Sequence, residues 1–192
     1  MAHQRAHTGR QRNEAARQAI LDAALRLFGT SGGDVTVGAI AAEAGVGKQT
    51  IYRWWPSKYA ILLEAFTAYG SAVVPQPDTG TVDGDLRAFV VATFDGMTEA
   101  APVLSALMGE AQRDPATLET LREFTDRRRT ALRALLERGR ARAELPPGAD
   151  FDLLIDQVYG VLWYRVLLGH GPLSPRAAAE LATGLLRQIR RD

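Results

Sequence analysis

Apolar residues recur along this chain with a helical period almost from end to end. Between Asn13 and Phe28, the residues Ile20, Ala23, Ala24, Leu27 and Phe28 fall at i, i+3, i+4, i+7 and i+8, one stripe of a helix predicted to stop at Gly29. After the turn Ser31-Gly32-Gly33-Asp34, Thr36 is placed to cap a short helix that runs through Ile40 and Ala41 to Ala44, ended by Gly45 where a positive φ costs little. The turn Gly45-Val46-Gly47 leads into a third helix from Lys48 to about Trp54, which Pro56 forbids to continue. Two short helices joined by a glycine turn of this length form a helix-turn-helix.

Ser57 caps a fourth predicted helix, about 58–73, with Ile61, Leu62, Ala65, Phe66 and Tyr69 on its apolar face. The stretch Pro75-Gln76-Pro77-Asp78-Thr79-Gly80 has the residues of a loop. Beyond it the periodicity stays helical, over about 82–99, 103–113, 115–139, 150–169 and 175–190, divided by Pro102, by Asp114-Pro115 as cap and first position, by Leu145-Pro146-Pro147-Gly148, and by Gly169 to Pro175. No strand pattern competes. The expected fold is all-α with about nine helices: a three-helix helix-turn-helix domain over 1–57, then a helical domain over 58–192 that begins with the connecting helix 58–73.

Two of these helices have more apolar surface than one core needs. The segment 151–168 carries Leu153, Leu154, Ile155, Val158, Tyr159, Val161, Leu162, Trp163, Val166 and Leu167 nearly all round, and the last helix adds Ala178, Leu181, Ala182, Leu185, Leu186 and Ile189 with Gly184 for close approach. Together they read as a self-association surface, because two such helices from each of two copies close into a four-helix bundle. The alternative is that both are internal helices of a monomer.

Charge changes the picture at one end only. Residues 1–60 carry eight basic side chains (Arg5, Arg10, Arg12, Arg17, Arg26, Lys48, Arg53, Lys58) against four acidic ones, although the whole chain is only +1. A polyanion is drawn to that end. Catalytic signals are missing: there is no cysteine, no P-loop and no GxSxG, and the only histidine pair at helical metal spacing, His3/His7, lies in the tail. The sequence predicts no enzyme, no cofactor and no metal. No run reaches the roughly 18 apolar residues of a membrane span, and no secretory h-region opens the chain, so a cytoplasmic location and no membrane partner are expected. Arg127-Arg128-Arg129 reads as a solvated helix face. The alternative to nucleic acid is a helical protein-interaction module using its basic front on an acidic partner.

The run Val35-Thr36-Val37-Gly38-Ala39-Ile40-Ala41-Ala42-Glu43-Ala44-Gly45-Val46-Gly47-Lys48-Gln49-Thr50-Ile51-Tyr52-Arg53-Trp54-Trp55-Pro56-Ser57-Lys58 closely resembles the DNA-binding segment of the tetracycline-repressor (TetR) family. Ile20-Leu21-Asp22-Ala23-Ala24-Leu25-Arg26-Leu27-Phe28 resembles that family's first helix, so the likeness spans about residues 13–65. It implies a bacterial, ligand-responsive repressor: a homodimer through helices 150–169 and 175–190 that binds palindromic operator DNA and is released by a small-molecule effector of unknown identity. At Gly47 the family more often has Ser or Thr, whose hydroxyl caps the third helix. Gly tolerates that place, and Lys48 beside it can supply the phosphate attraction instead.

In such a fold the third helix lies in the major groove and the second braces it. Gln49 then suits an adenine edge, Lys48 a guanine edge or a phosphate, and the Thr50 methyl a thymine. Tyr52, Arg53 and Trp54 suit phosphate and sugar, while Thr36 and Lys58 fix the backbone from either side. Arg5, Arg10 and Arg12 form either a minor-groove arm or an unordered start. Ile40, Val46, Ile51 and Trp55 are read as core. Candidates for an effector pocket are Phe89, Phe94, Met97, Met108, Phe124, Tyr159, Trp163 and Arg165, the last either meeting an anionic group or bridging a dimer.

Overall fold

A computed structural model describes residues 3–31, 34–73 and 76–190. Gly32, Gly33 and Pro75 fall outside the described residues, as do the side chains of His3, His7, Arg5, Arg10, Arg12 and Tyr69. Every regular element described is helical: α1 His3–Ser31, α2 Val37–Glu43, α3 Lys48–Tyr52, α4 Lys58–Val73, α5 Val82–Ala111, α6 Pro115–Ala141, α7 Phe151–Leu168 and α8 Pro175–Ile189. The chain forms two compact units, one of residues 1–69 and 102–119 and one of residues 70–101 and 120–192.

Local chemistry explains most of the boundaries. Thr36, Asp114, Asp150 and Ser174 each accept a hydrogen bond from the backbone N–H three residues on, satisfying a donor that the first helical turn leaves open. Ser57 does the same for Ala60 at 3.1 Å. At the end of α2, Val46 N–H donates to Ala41 and Gly45 N–H to Ala42, with Gly45 at φ +67, the left-handed termination that glycine adopts at least cost.

Two expected boundaries move. The first helix starts at His3 and passes Gly29 to reach Ser31. The tail is rich in Gln, Arg and Ala, which favour helix, and a single interior glycine costs only about 1 kcal/mol. Thr30 reinforces the final turn, its hydroxyl lying 3.1 Å from the carbonyls of both Arg26 and Leu27. The break expected at Pro102 is absent, and α5 continues through it. Proline there removes one ladder bond at roughly 3 kcal/mol, but Val103, Leu104 and Leu107 just beyond it are all buried, each contributing roughly 1.5–3 kcal/mol that a broken helix would forfeit.

In the first unit, Ile20, Ala23, Ala24 and Phe28 of α1 are fully buried with Ile40 of α2, Ile51 of α3 and Ile61, Leu62 and Phe66 of α4. In the second, α5 contributes Leu86, Phe89, Val90 and Phe94, α6 contributes Leu132, Leu135 and Leu136, and α7 contributes Ile155 and Val158. The arginine run on α6 is not one solvated face. At 100° per residue the three diverge: Arg127 is exposed, Arg129 pairs with Asp152 and Asp156 of α7, and Arg128 turns inward to Thr93 of α5. Among the described residues no helix is long and apolar enough to cross a membrane.

Candidate nucleic-acid interface

The short helix α3 has two distinct faces. Ile51 is fully buried and Trp55, one turn on, is 4% exposed, so this side anchors the helix. Lys48 and Tyr52, and Gln49 and Arg53, are i,i+4 pairs on the opposite side, and all four are exposed, Tyr52 to 58%. Thr50 and Trp54 lie half-buried at the edges. Gly47 precedes the helix in extended conformation (φ −78, ψ 146) with no side-chain cap, and open space surrounds the position its Cβ would take.

Lys48 is folded back across the start of α2. A Cβ on Gly38 would meet Lys48 Cε at 2.9 Å and Nζ at 3.1 Å, with Thr36 Oγ1 at 3.6 Å, so the ammonium and that hydroxyl converge over a position only glycine leaves open. Thr36 Oγ1 accepts from Ala39 N–H at 3.1 Å, which leaves its own hydrogen to donate. Two donors therefore face one spot at the α2–α3 corner. Lys58, half-buried, points its ammonium 5.0 Å from the Tyr59 ring centre and 5.9 Å from that of Phe28, a cation held against aromatic faces. Arg53 lies 5.3 Å over Trp54, which meets Trp55 edge-on at 5.5 Å.

What fixes this corner is a three-way contact that sequence reasoning did not find. Glu64 of α4 accepts the indole N–H of Trp55 at 3.0 Å and pairs with Arg17 of α1 at 2.8 Å, and Arg17 also lies 5.9 Å from the Trp55 ring centre. Arg26 and Glu43 tie α1 to α2 at 3.3 Å. Trp55 is core, as its spacing from Ile51 indicates, but its N–H commits a charged partner whose identity depends on the tertiary fold. An exposed polar row on a helix anchored by apolar residues and braced by a second helix defines a helix-turn-helix DNA-binding protein.

The effector candidates divide between the units. Phe89, Phe94, Met97, Phe124 and Tyr159 are buried and Trp163 and Arg165 half-buried in the second unit, while Met108, half-buried, belongs to the first. Arg165 donates to the carbonyl of Pro172 at 2.6 Å, which fastens the turn between α7 and α8. Tyr159 is buried, with its hydroxyl pushed above its usual pKa by that burial against the opposing charge of Arg128.

Comparison with known proteins gives this class a family. Residues 20–65 match the family described as bacterial regulatory proteins, tetR family, and residues 76–185 match the tetracyclin repressor-like C-terminal domain. The HTH-type transcriptional regulator YdeS of Bacillus subtilis is 38% identical over 185 residues, 94% of this chain and 93% of its own. Among solved structures, the TetR family transcription regulator SCO0332 is 31% identical with a TM-score of 0.72, covering 91% of this chain and 98% of its own. The fold also matches FadR of Bacillus subtilis in complex with stearoyl-CoA, at 21% identity and a TM-score of 0.71 over 90% of this chain and 97% of that one. The chain belongs to the TetR family and is a DNA-binding transcription regulator.

Proposed function

We propose that this protein acts as a homodimer that binds a palindromic operator through α3 and is released from it by a small molecule bound in the second unit. The observation that carries the reading is the exposed row Lys48, Gln49, Tyr52 and Arg53 on a helix whose other side is locked by Ile51 and Trp55. Gln49 reads an adenine edge and the Thr50 methyl a thymine, each good pair discriminating by roughly 1–3 kcal/mol. Lys48 and Thr36 together take one phosphate, Tyr52, Arg53 and Trp54 take neighbouring phosphate and sugar, and Lys58 adds positive charge beside them. Residues 1–57 do the reading, residues 58–192 hold the effector and pair the protomers, and the helix 58–73 runs without a linker from one part to the next.

Pairing is supported by α7. Leu153, Tyr164, Leu167 and Leu168 are exposed, Leu168 to 64%, and with Gly160 they leave an apolar strip on the outer side of a helix already buried on its inner side. Covering that strip with the same strip of a second copy, beside α8, gives an isologous interface. Two α3 helices then address half-sites about 34 Å apart. An effector that favours a different spacing of the readers shifts the dimer off DNA, and a swing from 1:99 to 99:1 needs roughly 5.5 kcal/mol of differential binding. The effector contacts fall to Phe89, Phe94, Met97, Phe124, Tyr159 and Trp163. Regulation without catalysis, in the cytoplasm where the DNA is, completes the reading.

Sedimentation of the wild type and of the variant Tyr164→Glu/Leu168→Glu tests it. The wild type is expected to run as a dimer and the variant as a monomer whose operator binding is lost. A monomeric wild type that still protects a palindrome, or a variant that remains a dimer, contradicts pairing through α7.

A further inference from the structure

Trp55 is buried, so its indole N–H needs an acceptor inside the fold, and Glu64 Oε2 accepts it at 3.0 Å. The other carboxylate oxygen, Oε1, takes Arg17 Nη2 at 2.8 Å. Burial alone holds a ring without choosing its rotation, because the hydrophobic effect has no direction. A hydrogen bond to a carboxylate has one, and it is stronger than a neutral bond. Arg17, 5.9 Å from the ring centre, holds the same ring from the side of α1. Together α1 and α4 fix the plane of one indole just past the end of α3.

That plane is passed outward. Trp54, half-buried, meets Trp55 edge-on, with ring centres 5.5 Å apart and an interplanar angle of 85°. The guanidinium of Arg53 lies 5.3 Å over the Trp54 ring. Arg53 is exposed and makes no ion pair among the described residues, so the aromatic face beneath it is what places its charge. A continuous series of contacts, Glu64 to Trp55 to Trp54 to Arg53, thus runs from a carboxylate on α4 to a cation in the exposed row of α3.

We propose that Glu64 is a positioning residue for operator recognition: acting through Trp55 and Trp54, it sets where Arg53 meets the DNA backbone. This rests on the operator-reading role of α3 and adds to it a residue whose own charge repels DNA. The sign of that charge separates placement from attraction. Deleting a carboxylate beside this basic surface strengthens its pull on a polyanion, so electrostatics alone gives tighter binding without Glu64. Placement gives the opposite result on the operator, where phosphate contacts must hold one register, and little loss on other duplexes, where no register is kept.

Fluorescence anisotropy of the full-length protein tests the assignment, with the duplex that the wild type enriches from a randomised pool and a scrambled duplex of the same composition. Glu64→Ala is expected to weaken binding to the enriched duplex about fivefold or more and to leave the scrambled one within about twofold. Its slope of log affinity against log salt on the enriched duplex is expected to fall by about 0.9, one phosphate contact, as it does in Arg53→Ala. Glu64→Gln keeps an acceptor for the indole and is expected to recover most of the loss. Trp54→Leu breaks the series without touching Glu64 and is expected to match Glu64→Ala, while adding Glu64→Ala to Arg53→Ala is expected to cost no more than about twofold further. Binding of the enriched duplex by Glu64→Ala that equals or exceeds the wild type, a loss shared equally by both duplexes, a loss that persists in full on top of Arg53→Ala, or one that Glu64→Gln does not recover overturns the proposal. Thermal melting of each variant confirms that it is folded at the assay temperature. A wild type that enriches no sequence removes the operator reading and the proposal with it, whereas an enriched duplex that Glu64→Ala binds normally removes only the positioning role.

Discussion

Gly47 and Gly38 sit a few residues apart beside the same corner and serve opposite ends. Gly47 leaves α3 without a side-chain cap although its φ is negative and nothing crowds the missing Cβ. Gly47→Ser is therefore expected to raise stability by a few tenths to about 1 kcal/mol, read as an increase in Tm, while adding a hydroxyl beside Lys48. Gly38 makes room for Lys48. Gly38→Ala is expected to stabilise α2 by up to about 1 kcal/mol in thermal melts yet to weaken operator binding, because the new methyl displaces the ammonium from its place beside Thr36. Unchanged affinity in Gly38→Ala would show that the Lys48–Thr36 pair does not touch DNA. Glu64→Ala is expected to cost about 1–2 kcal/mol, since it leaves the Trp55 N–H buried without its acceptor.

These residues differ in how legible they were. Thr36, Asp114, Ser57 and Gly45 announce themselves because a cap acts on the next turn of the same chain, so its signal is local. Gln49 and Lys48 stood out for a similar reason: on a short helix, the position of Ile51 alone decides which neighbours face outward. Glu64 could not be read this way. Its partners lie 9 and 47 residues distant in sequence, and nothing in the sequence of α4 marks this glutamate as half-buried against them. The inward turn of Arg128 was equally hidden, because three consecutive arginines look alike until the phase of α6 against its neighbours is known.

At the scale of elements, the last turn of α6 shows what local signals do and do not decide. Ala143 closes it at φ 57, with Ala143 N–H bonded to Arg140 and Glu144 N–H to Gly139, the geometry that Gly45 makes without strain. Ala143→Gly is expected to stabilise the protein by about 1 kcal/mol in denaturant titrations, relieving the clash of Cβ with the carbonyl. Beyond this turn lies a set of charges that ties α6 to the start of α5. Asp85, fully buried, accepts from the backbone and hydroxyl of Thr79 and pairs with Arg142 at 3.3 Å and Arg138 at 3.7 Å, while Glu144 accepts the Val82 N–H. Burial pushes Asp85 up, but the Thr79 bonds, Arg142 and Arg138 outweigh it and hold the carboxyl below its ordinary 3.8. Glu144, through the Val82 N–H first and Arg142 second, is likewise held below 4.5.

Because both folded-state values are depressed, the stability these carboxylates contribute is complete above their ordinary values and is lost as pH falls through the lowered ones. Melting temperatures are expected to stay level from pH 7 to about 5 and to drop below about 4. Asp85→Asn is expected to lower Tm at pH 7 and to flatten that acid slope; an unchanged slope would place the acid sensitivity elsewhere. The continuation of α5 through Pro102 belongs to the same scale. A proline is a strong local signal, but the buried residues on both sides of this one outweigh it, which no window of sequence reveals.

For the molecule as a whole, the family and the helical architecture were legible because the helix-turn-helix is written in contiguous residues. The second unit was legible only as periodicity. Which residues of α5, α6 and α7 face one another depends on packing between distant segments, so the meeting of Thr93, Arg128 and Tyr159 emerged only in three dimensions. The central claim is that the exposed row of α3 reads a two-fold symmetric DNA site. Selection from randomised duplexes at fixed salt, with the wild type and with Gln49→Ala, tests it most directly. The expected result is one enriched palindrome with half-sites about one helical turn or slightly more apart, relaxed in Gln49→Ala at the position that residue reads. Enrichment of no sequence by the wild type, or an identical palindrome from Gln49→Ala, would contradict it.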